Sequence, residues 1–127
     1  MENGALALML APQSRLSEAW GALLLATPQI EDVRQISDAS PDLADVVALE
    51  PDLIVLDVDA LGEKAWQILA HVRTRAPRSR SIALVSNNET LHLAQRAGAD
   101  SFLVKGFAAA KLSAAVAHLL PRSKARD

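Results

Sequence analysis

The chain has 127 residues, of which 50% are hydrophobic and 22% charged, with a formal net charge of −2, a size and composition that suit one domain and exclude the disordered class. It has no cysteine, which excludes disulfides, thiolate metal sites and thiol nucleophiles and points to the reducing cytoplasm. The near-neutral charge leaves no electrostatic footprint for nucleic acid; the apolar runs 5–11 and 22–26 are too short to span a bilayer, and no basic segment precedes the first, so neither a membrane anchor nor export is expected.

Ala5 to Leu10 is a short, continuously apolar run after Gly4, the pattern of a strand buried on both faces. Ser14 can cap the helix that follows, in which Leu16, Ala19, Trp20, Leu23 and Leu24 recur at helical spacing until Thr27-Pro28. Asp32 to Ile36 reads as a weaker strand. Ser40-Pro41 then opens a second helix carrying Leu43, Val46, Val47 and Leu49, which Pro51 closes. Leu53 to Leu56, followed by Asp57, is the clearest strand: its centre has no polar alternation and so belongs in the middle of a sheet.

A third helix is predicted over 63–75, with Ala65, Ile68, Leu69 and Val72 facing inward and Pro77 beyond its end. Ile82 to Val85 is the fourth strand. Asn88 can cap a fourth helix that ends at Ala97, with Gly98 as its left-handed cap. Ser101 to Val104 and 108–120 complete the pattern as a strand and a helix. Alternation of this kind predicts a doubly wound α/β domain over 1–120, with a parallel sheet, right-handed crossovers and helices on both faces. The last seven residues, 121–127, read as a frayed basic tail, and no linker to a second domain is visible, so the domain is expected to stand alone.

Three polar residues follow directly on three apolar strands: Asp57, Ser86 and Lys105. A doubly wound fold gathers ligands at the carboxyl ends of its strands. There an aspartate could accept a phosphoryl group, a hydroxyl could hydrogen-bond its oxygens and an ammonium could offset its charge.

With Pro51-Asp-Leu-Ile-Val-Leu-Asp57, Ala83-Leu-Val-Ser86 and Arg96-Ala-Gly-Ala-Asp-Ser-Phe-Leu-Val-Lys-Gly106, residues 5 to 120 resemble the receiver domains of bacterial two-component response regulators. The resemblance implies the flavodoxin-like (βα)5 fold with strand order 2-1-3-4-5. It implies Asp57 as phosphoacceptor, Ser86 and Lys105 as the hydroxyl and lysine that engage the phosphoryl group, and Phe102 as the switch aromatic. It also implies a histidine kinase or other signalling protein as partner, and a partner or homodimer face made by the fourth helix, fifth strand and last helix, where Ala108, Ala109, Ala110 and Ala114 allow close approach.

The chain departs from the family at the end of the first strand. Receivers carry an acidic pair there that binds Mg²⁺; this chain has Ala11-Pro12. Mg²⁺ demands near-octahedral oxygen coordination and neutralises charge on a transferring phosphoryl group. Asp57 and, as a substitute ligand, Asp59 remain, so a weakened Mg²⁺ site and impaired phosphotransfer are expected. Leu61, Ala65 and Asn87 replace the proline, glycine and small residue usual in the family, and Gly106 stands where many receivers have proline.

Plainer roles stand beside these. Asp57 could be a solvated strand end, Ser86 a helix cap, Lys105 an ion-pair partner of Asp57, and Phe102 ordinary core. His71, His92 and His118 lack metal-ligand spacing, and Arg73, Arg75, Arg78 and Arg80 read as a solvated loop. No glycine-rich nucleotide loop, Walker loop or nucleophile elbow is present, so no turnover enzyme is expected. The sequence therefore reads as an atypical receiver acting through protein contacts. Its alternatives are a phosphorylation-independent adaptor and the receiver piece of a DNA-binding regulator.

Overall fold

The computed structural model describes residues 4–37 and 42–120. Its elements are β1 (Ala5–Leu10), α1 (Arg15–Leu25), β2 (Ile30–Ile36), α2 (Leu43–Ala48), β3 (Leu53–Asp57), α3 (Val58–Leu61), α4 (Lys64–Arg75), β4 (Arg80–Val85), α5 (Asn88–Ala97), β5 (Ser101–Val104) and α6 (Ala109–Leu119). The five strands are parallel, in the order β2-β1-β3-β4-β5. The expected Ser40-Pro41 helix start and the basic tail lie outside the described residues.

Period-2 alternation divides the core between the sheet's two faces. Ala7, Met9, Val55, Ile82 and Leu84 pack against Trp20 and Leu24 of α1 and against Leu112 and Val116 of α6. Leu8, Leu10, Ile54, Leu56, Ala83 and Val85 meet Val46 of α2, Ala65, Ile68, Leu69 and Val72 of α4, and Ala94 of α5. The central strand β3 is buried at every position, which explains its unbroken apolar run.

Several element ends shift by one or two residues from the sequence reading, with β2 starting at Ile30 and β4 at Arg80, and two differences have a chemical cause. A four-residue helix, α3, follows β3 directly, because the Asp57 carboxylate accepts from Ala60 N at 3.3 Å and closes a turn there. Helix α5 is capped by Asn87, whose side chain accepts from Thr90 N at 2.8 Å; Asn88 is its first helical residue, and Ser86 makes no cap. An Asn cap on either residue fits the sequence pattern, and only the chain's path out of β4 selects the first.

Aspartates just ahead of β3 and β5 tie neighbouring strands together. Asp52 Oδ2 accepts from Leu6 N at 2.8 Å, and Asp52 N donates to Leu6 O at 2.9 Å. Asp100 Oδ2 accepts from Ser81 N at 2.8 Å, while Asp100 N donates to Ser81 Oγ at 3.1 Å. Ser81 is 4% exposed, so its N–H has little access to water. The second clamp sets the register of the edge strand β5, in which Ser101 lies beside Ile82 and Val104 beside Val85. Removing the acceptor would leave a buried donor unpaired. Asp100→Ala is expected to lower stability by about 1–3 kcal/mol, measured by urea unfolding, with Asp100→Asn recovering part of the loss; no loss in the alanine variant would show that the clamp is idle.

Candidate functional site

The sheet register brings three strand ends to one edge. Asp57 is the last residue of β3, level with Leu84 of β4. Ser86 and Lys105 each come one residue after the paired positions Val85 and Val104, and Lys105 N donates to Val85 O at 2.7 Å, carrying the pairing past the end of β5. Gly106 then turns the chain toward α6 at φ +92°, a value proline cannot adopt.

Lys105 is the centre of the site. Its Nζ donates to Asp57 Oδ1 at 2.7 Å and lies 2.9 Å from Asp59 Oδ2. The Ser86 hydroxyl donates to the same Oδ2 of Asp59. The Lys105 ammonium also lies over the Trp20 ring, 5.9 Å from its centroid, a cation–π distance. Asp57, Ser86, Lys105 and Asp59 thus form one connected cluster. Phe102 is half-buried and packs against the core on the α4–α5 side of the sheet.

Burial opposes charge on both Asp59 and Lys105, and the cluster overrides it in each case. Desolvation raises the Asp59 carboxyl, but the Ser86 and Lys105 hydrogen bonds and the Lys105 charge leave it below its ordinary 3.8. Desolvation lowers the Lys105 ammonium, but its contacts with Asp57 and Asp59 leave it above its ordinary 10.5.

The same edge is where a receiver-like Mg²⁺ would lie. Across it, at the end of β1, Ala11 is 2% exposed and part of the apolar core, and its carbonyl oxygen accepts from Gln35 Nε2 at 3.0 Å. Pro12 adds no donor side chain. Asp57 and Asp59 are the only carboxylates in the cluster, and the Lys105 ammonium already bridges them. Among the described residues no group of three or more His, Cys, Asp or Glu is placed to hold a metal. Mg²⁺ prefers near-octahedral oxygen ligation, and this edge offers it the two carboxylates of Asp57 and Asp59, both within contact of the Lys105 ammonium.

Sequence reasoning found Asp57, Ser86 and Lys105 together and named Asp59 as a substitute metal ligand; in the structure the Asp59 carboxylate contacts Ser86 and Lys105. It missed Trp20. That residue recurs in the apolar face of the first helix, and only the packing of α1 against the sheet brings it under Lys105. The histidines stay apart, and Arg73, Arg75, Arg78 and Arg80 are exposed; Arg80 Nη1 lies 4.0 Å from Asp100 Oδ1. Among the described residues no helix is long and apolar enough to cross a membrane.

No protein-family model and no curated protein matches the chain. Solved structures do. A protein assigned as a response regulator from Chloroflexus aurantiacus superposes with a TM-score of 0.82 at 19% identity, covering 94% of this chain and 100% of that one. The signal receiver domain of NarL from Mycobacterium tuberculosis gives 0.80 at 20% identity over 94% and 98%. A pilus assembly protein, CpaE, from Burkholderia thailandensis gives 0.77 at 16% identity over 91% and 97%. With the strand order 2-1-3-4-5 and five parallel strands, the chain has the fold of the response-regulator receiver domains.

Proposed function

We propose that the chain is a receiver-like switch domain of two-component signalling, with Asp57 as its phosphoacceptor and with Mg²⁺-dependent phosphotransfer impaired. The observation that carries this reading is the Asp57–Lys105–Ser86 cluster at the carboxyl edge of a receiver fold, facing a β1 end that offers no carboxylate. In the transfer, an Asp57 carboxylate oxygen attacks phosphorus, the bond from phosphorus to the donor breaks, and the donor departs with that electron pair. Lys105 offsets charge on the phosphoryl oxygens and Ser86 hydrogen-bonds one of them. Both polar contacts made by the Asp57 side chain go to Oδ1. The loss of a metal's electrostatic contribution costs several kcal/mol at the transition state, on the order of a thousandfold in rate.

The output is protein contact. The surface made by α5, β5 and α6 supports this, with Leu93 and Val104 exposed at 47% and 37% beside the exposed alanines 108, 109, 110 and 114. A histidine kinase is the phosphoryl donor on this reading, and a protein partner or a second copy of the chain is the receiver of the signal.

Intact mass after incubation with acetyl phosphate checks the chemistry. Wild type is expected to gain one phosphoryl group slowly, on the order of a thousandfold below a receiver that carries the acidic pair, at a rate nearly equal in Mg²⁺ and in chelator; Asp57→Asn is expected to gain none. Fast labelling that saturates with Mg²⁺ would overturn the impairment. No labelling of folded wild type would overturn the phosphoacceptor role and leave an adaptor whose state is set by its partner.

The cluster also sets a pH dependence. Asp59 is held below 3.8, so its contribution to stability is complete above that value and is lost as pH falls through the folded-state value. Lys105 is held above 10.5, so its contribution is complete below that value and is lost as pH rises through the folded-state value. Thermal unfolding from acid to alkaline pH is expected to show a plateau between these limits, with Asp59→Asn flattening the acid side and Lys105→Met the alkaline side. Unchanged profiles in both variants would contradict the assignment.

A further inference from the structure

Ser86 and Lys105 are two side chains on the edge able to donate to an oxyanion bound beside Asp57, and both are already engaged by one carboxylate. Asp59 Oδ2 takes the Ser86 hydroxyl and lies 2.9 Å from the Lys105 ammonium. We infer that Asp59 is a built-in occupant of the oxyanion subsite formed by Ser86 and Lys105, and that its carboxylate gates entry of a phosphoryl group or inorganic phosphate. The inference deepens the receiver reading and rests on it for what the carboxylate displaces.

Three features carry it. The first is position: α3 starts at Val58, so Asp59 lies in the first turn after the strand end, and the Asp57–Ala60 hydrogen bond holds that turn against the edge. The second is saturation. Lys105 contacts two carboxylates and the Trp20 ring, and Ser86 has one proton to donate, so an incoming oxyanion meets donors already engaged. The third is charge, since two carboxylates share one ammonium and the cluster keeps a net negative charge that repels an anion. The Asp59 side chain is 34% exposed, enough to swing into solvent without disturbing the core.

Occupancy by Asp59 keeps Ser86 and Lys105 engaged with one carboxylate at rest. The carboxylate therefore does two things: it holds the edge partly engaged at rest, and it slows modification by competing for the same donors. A phosphoryl group on Asp57 must displace it.

The test uses inorganic phosphate as the probe, followed by amide chemical shifts at Ser86 and Lys105, so that it needs no phosphorylation of Asp57. Asp57→Asn, which keeps Asp59, is compared with Asp57→Asn/Asp59→Ala. Saturable binding at least about tenfold tighter in the double variant, and lost again when Lys105→Met is added, is the expected result. Equal responses in the two proteins, or no binding in the double variant, would overturn the inference while leaving the receiver reading intact. If the double variant gives a spectrum of an unfolded chain, Asp59→Ser replaces Asp59→Ala in the same comparison. A second arm reads acetyl phosphate labelling of Asp59→Ala with Asp57 in place. A labelling rate raised about tenfold supports gating, whereas an unchanged or lowered rate, as a spectator or metal ligand would give, contradicts it.

Discussion

The structure depends on a parallel sheet that is covered on both faces. Such a sheet leaves polar side chains nowhere to go along its strands, so β1, β3 and β4 run apolar almost from end to end and polarity appears where they stop. Because all five strands point the same way, the polar residues that terminate β3, β4 and β5 emerge on one edge. Asp57, Ser86 and Lys105 meet there as a consequence of topology and register, before any of them forms a bond.

At that edge a single ammonium bridges two carboxylates. By the resemblance to receivers, an acidic pair after β1 would hold a divalent cation at this edge. Here the corresponding residue, Ala11, is part of the core and its carbonyl is tied to Gln35, and Lys105 spans Asp57 and Asp59. The cation within contact of both carboxylates is supplied by the chain itself, beside a β1 end that offers no carboxylate. Trp20 beneath the ammonium fits this account, since an aromatic face favours a cation while excluding water from one side of it.

The motifs that resemble receivers serve architecture and chemistry together. In Ala97-Gly-Ala-Asp100, the glycine ends α5 with φ +98° and the aspartate fastens β5 to Ser81. Asp52 performs the same service between β3 and β1. These clamps hold Lys105 in register with Ser86, so residues without contact to the site determine its geometry.

Much of this was legible in the sequence. Strand and helix order followed from local periodicity, because burial on two faces imposes continuous apolar runs and helices impose 3.6-residue recurrence. The partnership of Asp57, Ser86 and Lys105 followed from their places at strand ends. What remained hidden depended on side-chain direction and close distance. The cap at Asn87 rather than Asn88 was decided by the path of the chain out of β4, and α3 by one carboxylate closing a turn. Likewise the resemblance implied Asp59 as a substitute metal ligand, and its contacts with Ser86 and Lys105, two residues remote in the chain and adjacent only through the sheet, were not legible. Local pattern determined the elements of this protein and their alternation, and the resemblance implied the strand order; the tertiary structure alone decided which charges met, because electrostatic contacts depend on separations of a few ångströms that sequence spacing does not encode.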